Sequence, residues 1–227
     1  MVKNLKNKGA STLISTLGNR ILVFAPHPDD ETLGCGGTIA RAVSEGASVE
    51  VVWITSGGSG HKKGNRDPKI AKQREKEALS AAKILGVSKS HFFREPDGSI
   101  ESSARVIRKV VRIFREFSPT SVFTTYTDPV NSDHIVTNEI AAYVAIRGGI
   151  RIRALLNYEV WTPIETANLF VDIGEFIIIK RRALLAYKSQ LKTRKYDEAI
   201  IALNRYHGIM RRDTEYAERF KIVYSTL

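Results

Sequence analysis

Cysteine occurs once in the 227 residues, at Cys35, so no intrachain disulfide can form. That fits a reducing compartment, and a cytoplasmic location is expected. Long hydrophobic runs are missing as well: none approaches the roughly 20 apolar residues that cross a bilayer as a helix. Residues 1–18 carry lysines but lack an apolar core or a small-residue cleavage site, so no secretory signal is expected. Internal repeats, low-complexity runs and clear linkers are absent too. The expected organisation is a polar lead-in over 1–18 and a single domain over 19–227. Acidic residues are in deficit, 24 against 35 Lys and Arg, which leaves a formal charge of +11. The basic residues are spread over many segments, from 62–76 through 105–115 to 205–212, and aromatics do not interleave with them. Nucleic-acid grooves are built otherwise, so solvated helix faces are expected and a nucleic-acid partner is not.

What is present is an ordered series of apolar runs, several of them closed by residues that carry chemistry. Ile21-Leu22-Val23-Phe24 has the length and make-up of a strand buried on both faces. Ala25-Pro26-His27-Pro28-Asp29-Asp30-Glu31 follows it, ahead of Thr32 and the glycines Gly34, Gly36 and Gly37. A histidine and adjacent carboxylates thus stand at the carboxyl end of a buried strand, where open α/β sheets place their ligand crevices. Crowded carboxylates repel one another and lose hydration, and a divalent cation offsets that cost. His27 and Asp30 can turn an imidazole nitrogen and a carboxylate oxygen onto one metal, which leaves Asp29 to handle protons. A catalytic zinc usually takes three protein ligands. The best candidate for the third is His134, which follows the strand-like run Ser121-Val122-Phe123-Thr124. Asp133, one residue earlier, is placed to bond the free nitrogen of an imidazole and fix its tautomer.

Apolar periodicity organises the rest. Strands are expected at 20–25, 48–54, 91–93, 121–124, 154–161 and 168–173, and helices over 32–44, 69–85, 101–117, 135–146 and 175–190. A short helix is expected near 10–17, and the basic, Tyr-containing C-terminal stretch carries no assigned element. The glycine-rich, polar segment 55–68 reads as a mobile substrate loop. Repeated βα alternation argues for a Rossmann-like α/β fold, a mostly parallel twisted sheet with helices on both faces. His61, His91 and His207 read as surface or packed residues. Trp161, at the end of a strand, reads as core.

Taken together these residues resemble the LmbE/PIG-L family of zinc-dependent deacetylases, which remove N-acetyl groups from N-acetylglucosamine-type sugars. The resemblance covers most of the chain. It includes Pro26-His27-Pro28-Asp29-Asp30-Glu31, Thr55-Ser56-Gly57, Arg74-Glu75-Lys76-Glu77-Ala78 and Leu85-Gly86. It continues with Pro96-Asp97-Gly98, Asp133-His134, Val171-Asp172-Ile173, Lys180, Ser189-Gln190 and Ala217-Glu218-Arg219-Phe220. It implies one Zn2+ per chain held by His27, Asp30 and His134, with Asp29 as general base. Arg74 and Asp97 are implied to hold the sugar hydroxyls, and the implied partner is a small N-acetylated amino sugar or glycoconjugate. Many members carry His-x-Asp-His in the second motif, whose first histidine helps to stabilise the tetrahedral intermediate. Here Asn131 stands in that place, an amide that can donate a neutral hydrogen bond but cannot supply a proton.

Other readings stay open. A nucleotide- or nucleic-acid-binding Rossmann-like protein is one, although Ile39 takes the place of the last glycine in Gly-x-Gly-x-x-Gly and the acidic cluster would repel a pyrophosphate. An inactive family member, suggested by Asn131, is another. A homo-oligomer is also open.

Overall fold

The computed structural model describes residues 3–5, 12–58, 67–127, 129, 131–211 and 214–226. Its strands are β1 (Lys3–Leu5), β2 (Arg20–Ala25), β3 (Ser48–Thr55), β4 (Lys89–Glu95), β5 (Ser121–Thr125), β6 (Ala154–Tyr158), β7 (Leu169–Asp172) and β8 (Ala217–Ser225). The helices are α1 (Leu13–Leu17), α2 (Asp30–Ser44), α3 (Pro68–Leu85), α4 (Ala104–Phe117), α5 (Ser132–Arg147), α6 (Ile177–Leu184), α7 (Lys188–Leu191) and α8 (Tyr196–Arg211).

Among the described residues the strands form one sheet in the order β1-β7-β8-β6-β5-β2-β3-β4. Every pairing is parallel except those of β8, which runs antiparallel between β6 and β7. The Rossmann-like expectation holds. From β2 the chain builds outward through β3 to β4, then returns to place β5 on the other flank of β2. The strand order therefore reverses between β2 and β5, the switch point at which such sheets open a crevice beyond their carboxyl ends.

Helices cover both faces. One core packs α1, α2, α3, α6 and α8 over residues such as Val23, Val51, Trp53 and Phe123, and the other packs α4 and α5 over Leu22, Phe24, Val52 and Val122. Successive residues of β2 alternate between these two cores, as the strand pleat requires. Local chemistry sets the helix ends. Asp67 caps α3 through the Lys69 N–H with Pro68 in the first turn, and Gly86 ends it in a left-handed conformation at φ 80°. Ser103 caps α4, so that helix starts three residues later than periodicity suggests.

Some expectations shift. The segment read as a lead-in sends Leu13 and Leu17 into the core, and residues 3–5 add β1 to the sheet edge beside β7. The helical pattern over 175–190 breaks into a 3-10 turn at Gly174–Phe176, then α6, then α7. The break turns Lys180 inward and swings Tyr187 onto Glu31. The unassigned C-terminal stretch becomes α8 and β8. A charged residue, Glu218, lies wholly buried in β8 because the Lys180 ammonium meets it at 2.6 Å. The expected substrate loop falls largely on residues 59–66, outside the described residues, as does His61.

Candidate functional site

The loop after β2 and the loop after β5 meet at the switch point. They bring His27, Asp30 and His134 together so that one donor atom of each lies within 4.8 Å of the others. His27 Nδ1 stands 3.2 Å and His134 Nε2 3.3 Å from the same oxygen, Asp30 Oδ2. Asp30 and His134 are buried, and their atoms Asp30 Oδ1 and His134 Nε2 have no hydrogen-bond partner. Buried polar atoms without partners are costly. Two imidazole nitrogens and a carboxylate aimed at one point are a donor set that a divalent cation satisfies, so these residues fit a metal ion.

Asp133 bonds His27 from outside this cluster. His27 Nε2 lies 3.0 Å from Asp133 Oδ2, which also accepts the Gly98 N–H at 2.6 Å. Burial opposes the charge on Asp133, but the bonds from His27, Gly98 and Ile100 outweigh it and hold its carboxyl below the usual range. Burial likewise lowers the basicity of His27, yet the bonds to Asp133 and Asp30 prevail and push its pKa up to about 10. At Asp30 burial is outweighed by His134 and His27, which keep the carboxyl strongly acidic.

Asp29 is held by a different partner. It sits at φ 130°, a region that side chains rarely enter and that costs roughly 1–3 kcal/mol. Arg74 fastens this strained residue. Its guanidinium donates to Pro28 O at 2.6 Å and Gly57 O at 3.2 Å, and lies 3.2 Å from Asp29 Oδ2. Gly57 itself is at φ 65°, where an added Cβ would stand 2.6 Å from that guanidinium. Burial raises the pKa of Asp29, and Asp30 and Glu31 add to the rise against Arg74 and His27, so it reaches about 7. Arg74, read from sequence as a sugar-binding group, is thus turned onto the chain's own loop. Asp97 joins the same frame, accepting the Gly57 N–H at 2.9 Å. Asn131 caps α5: its Oδ1 accepts the Asp133 N–H at 3.2 Å, a bond that does not use its amide N–H groups.

Three further groups had no assigned role in sequence. The Glu31 carboxylate is buried and accepts from Trp53 Nε1 at 2.8 Å, Tyr187 OH at 2.6 Å, Thr32 Oγ1 at 2.5 Å and the Asp29 N–H at 3.4 Å. Burial pushes its pKa up against those bonds. Behind the loop, α2 kinks at Cys35. Lys180 donates to Leu33 O before the kink, and Glu218 accepts the Gly37 and Thr38 N–H groups after it. One buried ion pair therefore satisfies both broken ends of the helix. Gly34 lets this helix touch β6, since a Cβ there would meet the Tyr158 ring at 2.1 Å. Apart from Thr32 and Asp29, which neighbour Glu31 in sequence, these partners are brought together only by the fold.

Comparison with known proteins identifies the family. The sequence model described as PIG-L: GlcNAc-PI de-N-acetylase matches residues 22–145, a span that holds both loops of the cluster. The diacetylchitobiose deacetylase of Thermococcus kodakarensis is 28% identical over 192 residues, which are 75% of this chain and 70% of that one. A conserved protein of Thermus thermophilus has a solved structure that is 32% identical, with a TM-score of 0.80 over 91% of this chain and 96% of its own. A 4-carboxy-2-hydroxymuconate hydratase of Pseudomonas putida superposes with a TM-score of 0.82 at 22% identity, over 92% of this chain and 98% of that one. That last likeness is one of fold alone. With more than half of its length matched, the chain belongs to the PIG-L (LmbE-like) family of deacetylases.

Proposed function

We propose that this protein is a zinc-dependent amidohydrolase that removes the acetyl group from an N-acetylglucosamine-type sugar or glycoconjugate. The observation that carries the reading is the convergence of His27, Asp30 and His134 beside a separate carboxylate, Asp29, that is anchored by an arginine. His27, Asp30 and His134 would hold one Zn2+. When bound, zinc acts as a Lewis acid and lowers the pKa of a coordinated water towards about 7.

The chain's own groups divide the remaining work. Asp29 accepts a proton from the attacking water and passes it to the sugar nitrogen as the C–N bond breaks, releasing acetate and the free amine. A carboxyl with a pKa near 7 suits both directions of that transfer. Arg74 keeps Asp29 in its strained conformation. Asp133 fixes the ring of His27 so that Nδ1 faces Asp30. The amide of Asn131, with its oxygen committed to the helix cap, donates to the acetyl oxygen as negative charge develops there. Asp97, which accepts the Gly57 N–H, is the group assigned to the sugar hydroxyls.

Fold alone does not select this chemistry, since a hydratase shares the architecture. A panel of N-acetylated sugars incubated with zinc-loaded protein and scored for released acetate decides the matter. Acetate from at least one N-acetylglucosamine derivative is expected. No release from any member of the panel would contradict the reading.

A further inference from the structure

Trp161 stands out among the large side chains. It lies three residues beyond β6 and is 42% exposed, whereas the chain's other tryptophan, Trp53, is wholly buried. Its indole meets the ring of Tyr196 edge to face, with centroids 4.9 Å apart and planes at 62°. One aromatic braces the other, and the indole remains open to solvent.

Two sets of contacts tie this corner to the site. On the β6 side, Tyr158 OH donates to Phe24 O at 2.7 Å, at the end of the strand that feeds the His27 loop. The carbonyl of Glu159 lies against Gly34, four residues after Asp30. On the α7 side, Tyr187 OH bonds Glu31, and Ser189 bonds Glu77 through its N–H at 2.9 Å and its hydroxyl at 2.6 Å. The segment that leads into Tyr196 is thus fastened next to Asp30 and one helical turn past Arg74. The phenol of Tyr196 also senses the site: burial raises its pKa, and the charges of Arg194, Asp29 and Arg74 act on it.

A pyranose ring has one face of C–H groups that make no hydrogen bonds, and an exposed indole offers the matching apolar plane. We propose that Trp161, braced by Tyr196, is the stacking platform for the sugar ring whose acetamido group is hydrolysed at the metal cluster. This assignment rests on the deacetylase reading for its ligand. The platform sets specificity for a ring, whereas the cluster acts on the amide.

The two tryptophans make the test direct. Acrylamide quenches an exposed indole and spares a buried one, so quenching of the full-length protein reports Trp161 against Trp53 as an internal reference. The probe is N-acetylglucosamine, with N-acetylethanolamine as a control that carries the acetamide without the ring. Both the acetylated sugar and its glucosamine product keep the ring, so turnover does not erase the signal. N-acetylglucosamine is expected to shield Trp161, and N-acetylethanolamine is not. Trp161→Ala is expected to weaken sugar binding about fivefold, with Trp161→Phe recovering part of the loss. Metal content should stay unchanged in both variants. Absence of shielding at saturating sugar overturns the platform, whether or not the protein releases acetate. Shielding without acetate release from any sugar of the panel upholds the platform and defeats the chemistry instead. Shielding that follows protein concentration and ignores sugar assigns the ring to a contact between copies, and also overturns it.

Discussion

Asp133 Oδ2 lies 3.0 Å from His27 Nε2, a contact between residues 106 positions apart. It joins the loop after β2 to the first turn of α5 on the far side of the metal cluster. A carboxylate on the outer nitrogen of an imidazole fixes the tautomer and raises the basicity of the nitrogen that faces the metal. The same Asp133 neighbours His134 in sequence, so one short segment supplies a ligand and orients another. Asp133→Asn is expected to weaken zinc binding about 10–100-fold, measured by competition with a chromophoric chelator. Unchanged affinity would remove Asp133 from this role.

Asp29 touches neither imidazole of the cluster, and its partner is Arg74 at 3.2 Å. Loss of its carboxylate should leave the cluster intact. Asp29→Ala is expected to keep its zinc while acetate release falls by roughly 10²–10⁴-fold, the usual weight of a positioned proton acceptor. Full activity in that variant would show that another group takes the proton.

Lys180 and Glu218 are both wholly buried, and their charges meet at 2.6 Å. Removing one partner strands the other charge, so Lys180→Met should destabilise the fold by about 3–5 kcal/mol in denaturant unfolding. The double variant Lys180→Met with Glu218→Leu should recover only part of this loss. The Gly37 and Thr38 N–H groups would then lose the carboxylate that accepts them. Complete recovery would mean that the kink in α2 needs no such acceptor.

Glu159 provides a pH test away from the metal ligands. Burial opposes its charge, but bonds from His207, the Ile164 N–H and Arg219 hold its pKa below the ordinary 4.5. A carboxyl depressed on folding contributes stability that is fully present above its unfolded pKa and fades as pH falls through the folded one. The stability gap between the native protein and Glu159→Gln should therefore be constant above about pH 5. It should narrow as the pH drops below about 4.5. A gap that widens in acid would reverse the assignment.

The stretch from β2 to α5 was legible because its signals are local. Apolar runs mark the strands, Asp67-Pro68 and Gly86 bracket α3, and the Pro-His-Pro-Asp-Asp loop sits where a parallel sheet exposes its carboxyl edge. His27, Asp30 and His134 could be paired for the same reason, since both loops follow buried strands that become neighbours. The C-terminal third was less legible. β8 carries Glu218 and Arg219 inside a strand, and its polarity makes sense only beside Lys180 and Glu159. Glu31 reads as one more acid in a motif until Trp53 and Tyr187, 22 and 156 residues away, are seen bonding to it. That Arg74 turns its guanidinium onto Pro28, Gly57 and Asp29 could not be read from residue type alone. Trp161 is exposed, against the core position its apolar pattern suggests, because β6 ends at Tyr158, sooner than that pattern does.

Everything in the proposed chemistry depends on the two loops closing on one cation. Elemental analysis of the purified protein, beside His27→Ala and His134→Ala, tests this most directly. About one zinc per chain is expected in the native protein, with marked loss in each variant while the fold, followed by circular dichroism, is retained. Full zinc occupancy in either folded variant would contradict the account.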